Sequence, residues 1–166
     1  GWTKLSSEER ASVATQIKLI LNRLVETNCE EVSKDILALK LDSVELLESL
    51  VEQLYEKAVN ESKWVRTFAK LCALLEKAAL HERVAGRAED SDVTFRRLLT
   101  EHCRTAFDDD MAKWHDARSR SRSGLDKAQA DELDLAELKA KARYLGNIQF
   151  IGELFRVHIV SMKVLT

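Results

Sequence analysis

Hydrophobic positions along this chain recur at spacings of three and four, and short polar breaks separate the runs. Val13, Ile17, Ile20, Leu21 and Leu24 fall on one helical face. They follow Ser6-Ser7-Glu8-Glu9, a capping box in which a serine hydroxyl and the Glu9 carboxylate each satisfy a free backbone N–H. Asp42-Ser43 caps a second helix whose buried stripe is Val44, Leu47, Leu50, Val51, Leu54 and Ala58, with Glu45, Glu48, Glu52 and Glu56 on a solvated face. Trp64, Val65, Phe68, Leu71, Cys72, Leu75 and Ala79 mark a third helix. A fourth starts at Ser91 or Asp92, with Phe95, Leu99, Cys103 and Phe107 stepping by four beside Leu98 and Met111. A fifth starts at Asp131 and turns Leu135, Leu138, Ala142, Leu145, Ile148, Ile151 and Leu154 to one side.

Between these, residues 31–41 suit either a short helix or an extended connection, and residues 83–91 read as a polar loop around Gly86. Asp116–Gly124 (DARSRSRSG) has no periodicity, so residues 116–130 are expected to be a loop, with 116–126 mobile or disordered. The apolar segment Val157–Leu165 carries no stop signal. Grouped as 6–59, 62–115 and 130 onward, the helices repeat at roughly forty to fifty residues. The expected architecture is therefore all-α: antiparallel helix pairs stacked as a HEAT-type α-solenoid of about two and a half to three repeats. A four-helix bundle is the competing arrangement. The incomplete last pair leads us to expect a natural domain continuing past Thr166.

Composition agrees. The chain has 166 residues, no proline and five glycines, too few turn formers for an all-β fold. A chain of this length can bury about two thirds of its extended surface without cross-links. Lys plus Arg number 26 against 28 Asp plus Glu, so nucleic-acid binding must come from a local patch. Cys29, Cys72 and Cys103 are odd in number and far apart, which suits reduced thiols in an intracellular protein. No run of apolar residues suits a membrane span.

Candidate chemistry is sparse. His81, His102, His115 and His158 sit in no metal-ligand spacing, and no Gly-rich phosphate loop or nucleophile motif occurs. Neither metal, cofactor nor catalysis is expected. Asp108-Asp109-Asp110 reads as a solvated acidic run. Arg118, Arg120 and Arg122, alternating with Ser119, Ser121 and Ser123, form the one local basic patch, able to contact RNA or to be phosphorylated, or simply a solvated loop. Gly146 and Gly152 stand inside a strong helical pattern, where each costs about 1 kcal/mol relative to Ala, so close helix packing is expected at both.

Leu145-Gly146-Asn147-Ile148-Gln149-Phe150-Ile151-Gly152-Glu153-Leu154-Phe155 resembles the signature of the middle domain of eukaryotic translation initiation factor 4G. Thr94-Phe95-Arg96-Arg97-Leu98-Leu99 is similar to that family's TFRRLL, and Lys4-Leu5-Ser6-Ser7-Glu8 resembles its entry into the first helix. Tyr55-Glu56-Lys57-Ala58 and Phe68-Ala69-Lys70-Leu71-Cys72 also sit where the family has a D-K-A and an A-x-L-C. Departures are Ser7 in place of a proline, Trp2 in place of a leucine, and the Arg-Ser segment.

The resemblance implies a single partial middle domain over 1–166, about the first half of a crescent of HEAT pairs. It implies a non-enzymatic cytoplasmic scaffold that binds the DEAD-box RNA helicase initiation factor 4A and RNA and supports mRNA recruitment to the ribosome. The alternative is a middle-domain adaptor for mRNA decay, splicing or cap-complex recruitment, with a different DEAD-box helicase. The helicase is expected at the first-helix end, on Trp2, Lys4, Leu5 and Glu9, and RNA on Arg118, Arg120 and Arg122. Trp2 could equally pack on Val13 or its neighbours as a staple at the helix start. Phe95, Arg96, Arg97, Gly146, Asn147, Phe150, Gly152 and Glu153 are expected to be mainly structural. A monomer is expected, with no membrane attachment.

Overall fold

The computed structural model describes residues 6–39, 41, 43–78 and 94–161. The expected loop 83–91 lies outside them, as do Trp2, Lys4 and Leu5. Six α-helices and no strand are present among the described residues: α1 Ser7–Asn22, α2 Cys29–Leu37, α3 Val44–Asn60, α4 Val65–Lys77 behind a 3-10 turn Ser62–Trp64, α5 Phe95–Ser119 and α6 Lys127–Arg156.

Each helix start has a local cause. Ser6 and Glu9 close the capping box of α1, with Glu9 N–H donating to Ser6 Oγ at 3.2 Å and Ser6 N–H donating to Glu9 Oε2 at 2.7 Å. Ser43 caps α3 and Thr94 caps α5, so α5 begins later than Ser91 or Asp92. Asp126 and Gln129 form a second capping box and start α6 four residues before Asp131. The loop expected over 116–130 thus shrinks to residues 120–126.

The α6 stop is also built in. His158 adopts φ 65°, Ile159 N–H reaches back to the Leu154 carbonyl at 2.9 Å, and His158 N–H to that of Phe155 at 3.1 Å. This is a Schellman motif with histidine at the position glycine usually holds, and Ile159 is buried beside it.

The helices form antiparallel pairs α1/α2, α3/α4 and α5/α6. One layer is α1, α3 and α5; the other is α2, α4 and α6. The pairing frame is shifted from the expected 6–59, 62–115 grouping because residues 29–37 are a full helix. Asn28 explains why α2 is hard to read. Its side chain accepts from Val25 N–H at 2.7 Å and donates to the Arg23 carbonyl at 2.8 Å, stapling the preceding turn instead of capping the helix. One continuous apolar core runs between the layers, with Ile17, Ile36, Leu47, Leu50, Leu54, Leu71, Leu75, Phe95 and Phe150 fully enclosed. Neighbours pack on neighbours in sequence, as in a solenoid, and not around a central axis.

Candidate functional site

The signature segment lies on α6 and is consumed largely in packing. Gly146 faces the end of α3: a Cβ there would meet the Val59 carbonyl carbon at 3.1 Å and its Cα at 3.2 Å, with the carbonyl oxygen closer still. Asn147 is wholly buried and donates to the Cys103 carbonyl of α5 at 3.1 Å. Phe150, Ile151 and Leu154 complete the inward face, and Phe95 is buried opposite in α5. Gly152 departs from expectation. Nothing lies within 4 Å of its Cβ position, so a side chain there does not overpack.

Gly152 belongs instead to the opposite side of α6. There Leu135, Leu138, Leu145, Ile148 and Phe155 are exposed, Leu138 at 64%. The sequence pattern placed Leu135, Leu138, Leu145 and Ile148 on one buried face with Ile151 and Leu154; the structure separates them. A 30-residue helix with two apolar flanks blurs any single-stripe reading.

The remaining polar chemistry gathers around Arg143, a residue the sequence did not single out. Its guanidinium donates to Asp110 Oδ1 of α5 at 3.2 Å and grips both carboxylate oxygens of Glu56 of α3, while its Cζ stands 5.7 Å from the centre of the Tyr55 ring. Tyr55 donates its hydroxyl to Asp110 Oδ2 at 3.3 Å, and the His102 ring meets Tyr55 edge-on with centroids 4.6 Å apart. The cluster ties α3, α5 and α6 together. The hydrogen bond from Arg143 is the main cause holding Glu56 below the usual carboxylate range. Burial depresses His102 and raises the Tyr55 hydroxyl strongly. Tyr55 and Asp110 are buried, Arg143 is ion-paired to Glu56 and Asp110, and His102 is half-buried beside them, so the arrangement is a clamp.

The cysteines are free and buried, and burial pushes Cys103 up to about 12 and Cys72 higher, so both are unreactive thiols. Among the described residues no three His, Cys, Asp or Glu side chains form a metal-ligand set, and no helix is long and apolar enough to cross a membrane.

The expected interface residues are distributed as follows. Glu9 is exposed but its carboxylate closes the α1 cap. Arg118 stacks over Trp114 with Cζ 5.5 Å from the ring centre. Arg120 pairs with Asp116 at 3.0 Å. Arg122 bridges Asp134 at 3.1 Å and Glu137 at 2.9 Å and donates to the carbonyls of Ala117 and Arg120. The Arg-Ser segment is therefore a tied connection. Arg96 pairs with Glu76 of α4 and Arg97 with Glu101, while Glu153 sits between Arg66 at 3.6 Å and Arg156 at 3.4 Å.

The exposed faces of α3 and α4 differ in charge. On α3 the exposed residues Glu45, Glu48 and Glu52 continue into Glu56, and Glu48 and Glu52 share a 340 Å³ groove with Glu101 and His102 of α5. On the other layer, Lys63, Arg66, Lys70 and Lys77 are all exposed along the 3-10 turn and α4.

Stacked helix pairs with a structural signature segment define a helical-repeat domain. The chain belongs to the MIF4G domain family, whose model matches residues 14–166. It is 30% identical over 172 residues to mouse eukaryotic translation initiation factor 4 gamma 3, covering 96% of this chain and 11% of that protein. It is 29% identical over 163 residues to the wheat (Triticum aestivum) eukaryotic translation initiation factor 4G, covering 98% of this chain and 11% of the relative. The chain thus spans about a tenth of these relatives. Its fold matches the crystal structure of the MIF4G domain of Trypanosoma cruzi translation initiation factor EIF4G5 with a TM-score of 0.65 at 19% identity, covering 93% of this chain and 63% of that one.

Proposed function

We propose that this chain is a non-catalytic, cytoplasmic scaffold segment of translation initiation, a single partial middle domain over 1–166. In this reading it binds the DEAD-box RNA helicase initiation factor 4A and RNA and supports recruitment of mRNA to the ribosome. The observation that carries the reading is the family match over most of the chain, joined to relatives that include initiation factors 4G of mouse and wheat. The helicase is expected to dock through Trp2, Lys4, Leu5 and Glu9. An aromatic ring is a strong interface anchor because it buries a large area at low entropic cost.

A pull-down with purified DEAD-box helicases tests the reading. Capture of initiation factor 4A, weakened by about 2 kcal/mol in Trp2→Ala at unchanged melting temperature, is the expected result. Capture of a different DEAD-box helicase instead moves the protein to mRNA decay, splicing or cap-complex work. A lowered melting temperature with unchanged affinity makes Trp2 structural.

A further inference from the structure

We propose that Ser123, in the connection between α5 and α6, is the acceptor for an arginine-directed serine kinase, and that its phosphate draws Arg122 off α6.

Arginine and serine alternate from Arg118 to Ser123, so the sequence offers three acceptors. Kinases choose among serines by the charge pattern around them. An arginine-directed kinase presents carboxylates to a cation three residues before the acceptor. Ser119 has Asp116 at that position, and its hydroxyl already donates to the Asp116 carbonyl at 3.0 Å. Ser121 has Arg118 there and Ser123 has Arg120, so sequence alone leaves these two equal.

The structure separates them. Arg118 lies inside α5, which ends at Ser119, and stacks over Trp114. It reaches an enzyme as part of an extended segment only if the end of α5 unwinds. Ser121 Oγ is also engaged, accepting from Ser123 N–H at 3.1 Å. Arg120 is the first residue past α5, and its backbone is already extended at φ −68° and ψ 130°. Its pair with Asp116 has both side chains at least 60% exposed, so water screens it and a kinase carboxylate can replace Asp116. Ser123 is exposed, and its hydroxyl makes no hydrogen bond among the described residues. It stands in a turn that Leu125 N–H closes onto the Arg122 carbonyl at 3.3 Å. Gly124 follows at φ 80° with open space where a Cβ would be, so the side of the acceptor toward α6 is unobstructed.

In the reaction Ser123 Oγ attacks the γ-phosphorus of ATP. The Oγ–P bond forms as the bond to the β,γ-bridging oxygen breaks, ADP leaves with that electron pair, and the hydroxyl proton passes to the kinase. The product carries a charge of about −2 and three acceptor oxygens.

That charge arrives on the residue next to Arg122. Arg122 now bridges Asp134 at 3.1 Å and Glu137 at 2.9 Å. A phosphate matches a guanidinium bidentately and outbids a single carboxylate. When Arg122 turns to it, Asp134 and Glu137 stand three residues apart on one helix with no shared cation and repel each other. The α6 dipole offsets little of this, because Ser123 lies three residues before the cap Asp126 and the dipole acts mainly within the first turn. Phosphorylation therefore unfastens the start of α6 from α5.

The test uses an arginine-directed kinase that phosphorylates the free peptide of residues 116–126, applied with ATP to the folded chain, and maps the product by mass spectrometry. One phosphate on Ser123 is expected. Ser123→Ala should abolish it, Arg120→Gln should slow it at least tenfold, and Arg118→Gln should leave its rate within about twofold. Phosphate on Ser119 or Ser121 of the unaltered chain overturns the assignment. So does a folded chain that takes no phosphate, which would mean that the fold shields the turn. Amide exchange then reads the consequence. The phosphorylated chain is expected to exchange faster over residues 127–137, and phosphorylating Arg122→Gln should add no further increase. Unchanged or slower exchange over 127–137 overturns the release of Arg122.

Discussion

Gly146 of α6 lies against the carbonyl of Val59 near the end of α3, so closely that no side chain fits between the two helices. The obstacle is backbone, which cannot swing aside as a side chain can. Gly146→Ala is expected to cost about 3 kcal/mol, the upper end for overpacking, read by chemical denaturation. Gly152→Ala, whose Cβ meets open space, is expected to gain about 0.5–1 kcal/mol from helix propensity. Equal effects at both positions would refute this account of the signature.

Arg143 compensates Asp110, whose side chain is 4% exposed. Arg143→Met strands that carboxylate. The expected loss is about 3 kcal/mol, the low end for breaking a buried pair, since Arg143 is itself 30% exposed. Adding Asp110→Asn should recover part of it. Full additivity of the two substitutions in denaturation experiments would show that the pair is not coupled.

Acidification should weaken the fold in two stages. His102 is held below its ordinary 6.5, chiefly by burial, with Arg143 adding and Glu52 and Glu56 opposing. Glu56 is held below 4.5, chiefly by its hydrogen bond from Arg143, with burial opposing. In both cases the unfolded chain takes up its proton first, so stability rises with pH across each window. It is complete above about pH 6.5 and declines below that as His102 is forced toward its charged form. It declines further below about pH 4.5 as pH falls toward the folded pKa of Glu56. His102→Gln should flatten the first stage and leave the second. A denaturation midpoint that is constant from pH 7 to 5 in the unaltered chain would contradict this.

Arg122 fastens the start of α6 to the end of α5. Arg122→Gln is expected to speed amide exchange over residues 127–137 while leaving the α3–α4 core protected. Unchanged exchange would mean that the Asp126–Gln129 capping box alone holds the helix start.

His158 occupies a left-handed conformation that disfavours a β-carbon. His158→Gly should stabilise by up to about 1 kcal/mol. That corresponds to a rise of about 2–4 °C in melting temperature for a chain of this size.

Much of this structure was legible before folding. Strong one-sided periodicity delivered α1, α3 and α4, and the spacing of the helices delivered the solenoid. Asp126-x-x-Gln129 was present as a cap signal but was masked by the polar Arg-Ser run before it. Salt bridges such as Asp116–Arg120 then carry α5 further than its apolar pattern suggests. The pairing frame slipped because Asn28 spends its side chain on the preceding turn. Arg143 was invisible for a different reason. Its partners Glu56 and Asp110 are 87 and 33 residues away in sequence, and no local pattern reports such a meeting.

The sorting of carboxylates onto α3 and cations onto α4 gives the molecule an electrical direction, although its formal charge is only −2. A charged body diffusing toward it feels a torque as well as a pull, and is turned before contact. The reach of that effect is about 8 Å at physiological ionic strength and grows as salt is removed. Polyanions and polycations are drawn to opposite walls, so two such ligands can be held at once without competing for the same ground. A near-neutral chain can in this way discriminate by approach as well as by fit.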